Sequence, residues 1–345
     1  MNDNSFNEND FYSNPNNLFF YKNLTEESFS PILLDNIFTI FKSINDIYYL
    51  VYSNKQKSII SCNLLDNKKI NEVKNAHKEN ILNFRHYFDK INKIDFIISI
   101  SSNFIKLWKI TNFECILNIT NIYNYGRIES SCILYFEKKN YILTSNCNYD
   151  NNSEPIKIYD FGANKINEIE ESSSITKFIG TYYDIKCNKI YILTGNDGFS
   201  TSYDYKTNKV YKYYKEQGLE YLEYHTSIII NNINKEVQLI DSDIGGAIRI
   251  WNFHTAQLLN KIDIIKIVGK QILYGLCLWN KEYLFVGNNR DEIILLNLKD
   301  NKKVNKFKCN NGQYISTIKK MLLPKYGECL ISLGDKAIQL WINKK

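Results

Sequence analysis

The sequence predicts an all-β fold: a seven-bladed propeller with four antiparallel strands per blade and its ring closed by an N-terminal strand. Three observations lead there. The chain has 345 residues, beyond the roughly 250–300 at which a single core stops growing, so it needs two domains or one repetitive fold. A pattern of apolar strand, turn, strand ending in an aromatic, turn and further strand recurs along nearly its whole length. The strands within that pattern are apolar almost throughout instead of alternating, as happens when both faces of a sheet are covered.

The best copy of the repeat is DIGGAIRIWNFHTAQLLNKI at residues 243–262. Others are SNFIKLWKITNFECILNI (102–119), EPIKIYDFGANKINEI (154–169), GFSTSYDYKTNKVYKY (198–213), EIILLNLKDNKKVNKF (292–307) and the truncated GDKAIQLWINKK (334–345). A weaker copy, KSIISCNLLDNKKINEV, starts at Lys57. Marking each copy at its aromatic position gives Cys62, Trp108, Tyr159, Tyr203, Trp251, Leu296 and Trp341, with gaps of 44 to 51 residues and a mean of 46.5. That period is close to the ~40–45 residues of a four-stranded propeller blade.

This period and strand pattern resemble the WD-repeat (WD40) family over nearly the whole chain. The aromatic-acid pair of that family is present as Tyr159-Asp160 and Tyr203-Asp204, and in part as Trp108-Lys109 and Trp251-Asn252. Its Gly-His pair is represented by Ala76-His77, and its aspartate, six residues before the marker, by Asp197 and Asp335. The resemblance implies a buried hydrogen-bonded group of His, Ser/Thr, Asp and Trp within a blade, although no blade carries all four.

Within this frame the inner strands fit residues 37–42, 81–88, 131–136, 175–182, 227–231, 273–279 and 315–322. The second strands fit 95–101, 141–145, 191–195, 283–287 and 328–333, and Gly245-Gly246 falls in the turn after a second strand. The last blade ends at its third strand, with Trp341 and Ile342. Leu18-Phe19-Phe20-Tyr21-Lys22 is apolar, β-prone and otherwise unassigned, so it is expected to supply the missing outer strand and close the ring. Residues 1–15 are then a disordered tail and residues 16–345 the propeller.

Composition excludes more than it identifies. Net charge is +6, but only four of the 43 basic residues are arginine (Arg85, Arg127, Arg249, Arg290). Bidentate readers of phosphate and guanine use arginine, so direct reading of nucleic acid is not expected. The densest basic run, residues 299–308, reads as a solvated edge strand protected by lysine. Asn, Lys, Ile and Tyr are abundant throughout, and isolated Asn or Lys clusters are discounted as a bias of composition. Eight cysteines, Cys62, Cys115, Cys132, Cys147, Cys187, Cys277, Cys309 and Cys329, are spread singly without a CxxC pair, which reads as small reduced core residues. With no apolar run of membrane-spanning length and no export signal, a cytoplasmic or nuclear protein is expected.

No metal, nucleotide or nucleophile motif occurs, so neither cofactor, metal site nor catalysis is expected. Carboxylate groups such as Asp241 with Asp243, or Glu168 with Glu170 and Glu171, read as solvated loop residues, and His86 beside Arg85 as a hydrogen-bonded structural histidine. The informative segments are three long connections on the face carrying the outer-to-inner and second-to-third strand loops. They are NIYNYGRI (121–128), NCNYDNNSE (146–154) and KEQGLEYLEY (215–224). They bring Tyr123, Tyr125, Arg127, Tyr149, Tyr221 and Tyr224 into candidacy for a protein-binding surface, with Arg290 and Tyr314 further round, because Tyr and Arg anchor interfaces. The expected function is a non-catalytic scaffold or adaptor within a multiprotein assembly. The alternatives are an RNA-associated scaffold of ribosome biogenesis and a phosphoinositide-binding propeller of the autophagy type. The latter uses adjacent arginines, which this chain lacks, so lipid is not an expected partner.

Overall fold

The computed structural model describes residues 14–25, 38–89, 92–120, 122–124, 126–147, 154–170, 176–216, 225–233, 236–243, 245–264, 266, 269 and 272–343. These form seven antiparallel four-stranded sheets, six of them built from consecutive strands and the seventh taking the first strand of the chain at its edge, so the chain is a seven-bladed β-propeller. It divides into two compact units, Ile32–His225 and Met1–Pro31 with Thr226–Lys345.

The first strand, β1 (Leu18–Asn23), belongs to the last blade. Blade 1 is β2 (Phe38–Lys42), β3 (Tyr48–Ser53), β4 (Ile59–Asn63) and β5 (Lys69–Val73). Blade 2 is β6 (Ile81–Asp89), β7 (Ile94–Ser101), β8 (Phe104–Lys109) and β9 (Glu114–Thr120). Blade 3 is β10 (Arg127–Phe136), β11 (Lys139–Cys147), β12 (Ile156–Asp160) and β13 (Lys165–Ile169). Blade 4 is β14 (Thr176–Asp184), β15 (Lys189–Asn196), β16 (Ser200–Asp204) and β17 (Lys209–Tyr214). Blade 5 is β18 (His225–Ile233), β19 (Glu236–Asp243), β20 (Ala247–Asn252) and β21 (Leu258–Asp263). Blade 6 is β22 (Leu273–Leu278), β23 (Tyr283–Asn288), β24 (Glu292–Asn297) and β25 (Lys302–Lys308). Blade 7 is β26 (Ile315–Leu323), β27 (Gly327–Gly334), β28 (Ile338–Asn343) and β1.

The core lies between successive blades. Phe41, Val51 and Ile59 of blade 1 cluster with Phe84, Ile97 and Trp108 of blade 2, whose other face packs Ile98 and Leu107 against Ile142 and Tyr159 of blade 3. The same alternation joins blade 3 to blade 4, blade 5 to blade 6 and blade 6 to blade 7. Each buried Ile or Leu contributes about 1.5–3 kcal/mol, and in blades 2, 3 and 6 residues of both faces of the sheet take part.

Every marker lies on a third strand, and in blades 1–6 the residues immediately after it build the hairpin to the outer strand. The next residue is Asn or Asp in five blades, and its Oδ1 accepts main-chain N–H groups two to four residues on: Asn63 from Leu65, Asp160 from Gly162 and Asn164, Asp204 from Lys206 and Thr207, Asn252 from His254 and Thr255, Asn297 from Lys299 and Asp300. A left-handed residue then reverses the chain: Asn67, Phe113, Ala163, Asn208, Ala256 or Asn301. Short Asn and Asp side chains suit such turns because they replace a main-chain hydrogen bond locally.

The outer strand carries a one-residue bulge directly opposite the marker in every blade. Trp108 pairs with Cys115 while Leu107 pairs with Leu117, which leaves Ile116 over; Tyr159 and Ile158 leave Ile166, Trp251 and Ile250 leave Leu259. Cys62, Tyr203, Leu296 and Trp341 do the same with Ile70, Tyr211, Val304 and Tyr21. Ile70, Ile116, Ile166, Leu259, Val304 and Tyr21 are all exposed, since a bulge turns its extra residue out of the pleat. After four of these bulges stands an asparagine, Asn71, Asn167, Asn260 or Asn305, whose Oδ1 accepts the following N–H at 2.8–2.9 Å. Asn167 and Asn260 also pair their amides with Asn208 and Asn301 of the next blade. These asparagines, discounted as composition bias in the sequence, occupy equivalent structural positions.

The closing strand is as expected, with Leu18 opposite Asn343, Phe20 opposite Trp341 and Asn23 opposite Gln339. The boundary of the tail differs: Pro15 is buried in a single 3₁₀ turn, Pro15–Asn17, capped by the Asn14 side chain. Residues 1–13 lie outside the described residues. All eight cysteines are free thiols, six buried as expected, but Cys115 and Cys187 are exposed because one sits on an outer strand and the other in a turn.

Three measurements check this architecture. Deleting residues 1–13 leaves the thermal midpoint within a degree or two, whereas deleting residues 1–23 strips β1 from β28 and causes unfolding or aggregation; equal midpoints refute the closure. Ala256→Gly removes a left-handed cost of about 1–2 kcal/mol against an entropic loss of about 0.5–1 kcal/mol, so denaturant unfolding shows a small net stabilisation. Thiol titration under native conditions finds two fast groups, Cys115 and Cys187. The buried ones respond only on unfolding, in keeping with burial that pushes the Cys132, Cys277 and Cys329 thiols up to about 12.

Candidate interaction surface

The long connections 121–128, 146–154 and 215–224 all belong to the unit Ile32–His225, and the residues beneath the first two form a tightly satisfied base. The inner strands β10 and β14 each bulge near their start, between Ile128 and Ser130 and between Thr176 and Phe178, which sets Glu129 and Lys177 apart from the ladder. These two side chains are buried and meet across the blades: Lys177 Nζ lies 3.0 Å from Glu129 Oε1 and 3.5 Å from Cys147 Sγ. Arg127 Nε takes the other carboxylate oxygen at 2.9 Å. Two cations thus share one carboxylate, and the Arg127 side chain, 39% exposed, carries charge to the surface. Nothing in the linear sequence marks Glu129 or Lys177, because a bulge is needed to point them at each other.

Tyr123 is placed differently from its expected role as a loop anchor. It is 5% exposed, its hydroxyl donates to the Thr144 carbonyl oxygen at 2.8 Å, and Lys157 Nζ stands 4.5 Å from its ring centre. Lys157 in turn donates to the Ile122 carbonyl oxygen at 2.6 Å and pairs with Glu154 at 2.8 Å. This cation–aromatic stack fastens the 121–128 connection to strand β12 and turns the Tyr123 phenol inward. Tyr125, Tyr149, Tyr221 and Tyr224 lie outside the described residues.

Arg290 and Tyr314 belong to the other unit. Arg290 is exposed in the β23–β24 turn, where its N–H donates to Asn288 Oδ1 and its carbonyl oxygen accepts from Lys308 Nζ. Tyr314 is buried beside Tyr274, with ring centres 5.9 Å apart, and burial pushes its phenol well above the usual range.

The buried polar residues are structural. Trp108 Nε1 donates to Ser99 Oγ at 2.7 Å, and His77 Nε2 lies 2.7 Å from the same hydroxyl, with Nδ1 3.2 Å from Ser101 Oγ. Burial, assisted by Lys106, lowers the His77 pKa to about 3, so the ring is neutral. Blade 7 keeps Trp341 donating to Ser332 at 2.9 Å, and blade 5 keeps Trp251 donating to Asp241 at 3.0 Å. Asp241 and Asp243, read from sequence as solvated, are in fact buried in strand β19, Asp243 bound to Arg249 and to the N–H of Ala247. Burial of five successive residues, Leu239 to Asp243, overrides the loop-like look of DSDIGG. Glu168 is surface-exposed and paired with Lys165. Asp335 accepts the Gln313 N–H at 2.9 Å, and a side chain on Gly312, at φ +115°, would collide with its carboxylate. His86 stacks on Phe41 and meets Asp95 at 2.7 Å.

Among the described residues no cluster of His, Cys, Asp or Glu is suited to hold a metal ion, and no helix is long and apolar enough to cross a membrane. Tyr123→Ala is expected to destabilise by about 3–5 kcal/mol, and Tyr123→Phe by about 1 kcal/mol, in denaturant unfolding. A mere surface anchor would leave stability unchanged. Between pH 6.5 and 3 the unfolded chain binds a proton at His77 that the folded chain excludes, so stability is held above pH 6.5 and falls on acidification. The stability-against-pH slope of His77→Gln near pH 5 is therefore shallower by up to one proton.

No protein-family model matches the chain, and no curated protein sequence does. Solved structures do match, among them the crystal structure of Raptor from Chaetomium thermophilum, with a TM-score of 0.66 over 88% of this chain at 13% identity. The chain spans 28% of that protein's length, and at this identity the likeness concerns the fold alone. The strand order of the blades and this superposition together show a seven-bladed β-propeller fold.

Proposed function

We propose that this chain is a non-catalytic, cytoplasmic scaffold that holds partner proteins on the connections 121–128, 146–154 and 215–224, acting as a subunit or adaptor of an assembly, and that its repeats are divergent members of the WD-repeat family. The observation that carries this reading is the contrast beneath and within those connections. Below them Glu129, Lys177, Lys157, Glu154 and Tyr123 satisfy one another and give a rigid seat. By sequence these connections carry Tyr125, Tyr149, Tyr221 and Tyr224, the large amphipathic residues that are enriched in binding loops. Arg127 joins the two, with its carboxylate partner below and its guanidinium partly open to solvent.

Affinity capture from the native cell with quantitative mass spectrometry tests the reading. Tyr125→Ala, Tyr221→Ala and Tyr224→Ala each are expected to weaken capture of the leading partner by roughly 30-fold where the residue is a central anchor worth about 2 kcal/mol, with thermal midpoints unchanged. If these variants capture normally while Lys302→Glu with Lys303→Glu abolishes capture, the surface lies on blade 6 and the assignment fails.

A further inference from the structure

The outer strand of blade 6 carries more positive charge than edge protection requires. Strand β25 reads KKVNKFK with no acidic residue, and the turn before it adds Lys299. Lys306 is paired with Glu292 at 2.9 Å and Lys308 donates to the Arg290 carbonyl oxygen. Lys299, Lys302 and Lys303 are exposed and have no carboxylate partner among the described residues. The exposed carboxylates at this end of the blade are Glu282 and Asp300, and Lys325 of blade 7 adds another cation.

The first described strand begins at the same end. Strand β1 runs beside β28 from Leu18, opposite Asn343, so it starts at the end where the third strand of blade 7 finishes. In blade 6 that end is Asn297, which pairs with Lys302. The marker pairs agree, with Lys303 opposite Leu296 and Phe20 opposite Trp341. Blades 6 and 7 are packed together in one unit, with Leu18, Phe307, Leu295 and Trp341 in one apolar cluster. The first described residue, Asn14, therefore stands on the side where Lys299, Lys302 and Lys303 stand. Residues 1–13 read MNDNSFNENDFYS, with Asp3, Glu8 and Asp10 and no lysine or arginine. At about 3.3 Å per extended residue, Asp10 reaches roughly 13 Å from Asn14 and Glu8 roughly 20 Å, and a tether this short raises the local concentration of these carboxylates to the millimolar range.

We propose that the acidic segment 1–13 is the intramolecular occupant of the basic outer edge of blade 6, docking on Lys299, Lys302 and Lys303 and masking that edge from other polyanions. The attraction is between exposed groups, so it is weak, screened by salt and reversible. The bulge at Val304 interrupts the edge, so the contact is electrostatic and not the addition of a fifth strand.

Zero-length carbodiimide coupling of the full chain, with the products mapped by mass spectrometry, tests this. Amide links from Asp3, Glu8 or Asp10 to Lys299, Lys302 or Lys303 are expected within single molecules at 20 mM salt, falling at least fivefold at 500 mM. Links spread evenly over exposed lysines of other blades, such as Lys209 and Lys212, or links only between two molecules, overturn the proposal. A second readout uses heparin-agarose. The D3N/E8Q/D10N variant is expected to elute at higher salt than the unaltered chain, and adding Lys302→Glu and Lys303→Glu to that variant abolishes the gain. Identical elution of the unaltered and amidated chains overturns the masking.

Discussion

A sheet that is apolar on both faces has no stable existence alone, and this constraint shapes the rest of the molecule. The second and third strands of each blade are buried almost end to end, so each blade needs a neighbour before its core exists. The apolar clusters accordingly lie between blades. Burial on both faces imposes two further requirements. Polar groups trapped between sheets must find partners there, which Ser99 with Trp108 and His77, and Asp241 with Trp251, accomplish. The last strand of each sheet must also be kept from recruiting a fifth, since an unpaired edge invites aggregation.

The bulge opposite each marker answers the second requirement and explains the marker itself. Where the outer strand gains a residue, its ladder is interrupted and its twist increases, and the facing third-strand residue is buried in all seven blades. Five of these residues are Trp or Tyr, but Cys62 and Leu296 occupy the same register. The requirement is for an apolar side chain at a fixed position, not for tryptophan. The position after it needs only an oxygen that can accept main-chain N–H groups, which Asn63 and Asn297 supply as well as Asp160 and Asp204. Several residue types meet each requirement, so the architecture persists while the repeat signature erodes, consistent with a matching fold at 13% identity and no matching family model.

The same tolerance decides what was legible in the sequence. Strand positions and the closing role of Leu18–Asn23 could be read because apolar runs and a 46-residue period survive any exchange of Ile for Leu. The structural asparagines could not: in a chain rich in asparagine, Asn167 and Asn260 look like background until the register shows them opposite the same point of each third strand. Buried charges were equally hidden. Asp243 and Arg249 are six residues apart across a glycine turn, and Glu129 and Lys177 are brought together only by bulges in two separate strands. Tyr123 sat in a loop by sequence and is fastened inward by Lys157, a partner 34 positions away on another strand.

The electrostatic contrast between the two units bears on what each surface can recognise. In the unit of blades 1–4 the charges near the long connections are bound to each other at 2.8–3.0 Å, and all of them except the partly exposed Arg127 are largely buried. Such pairs are costly to break, because each leaves a buried ion uncompensated, so they cannot be redeployed toward a partner. Under the proposed function, recognition there rests on the loop side chains and on shape, which suits a specific protein surface and little dependence on salt. On blade 6 the opposite holds: Lys299, Lys302 and Lys303 are hydrated, uncommitted and indifferent to the geometry of whatever anion approaches. A surface of that kind gathers polyanions without selecting among them. The proposed docking of the acidic segment 1–13 would cover it without adding a new folded element, which suits a scaffold that has to discriminate between proteins.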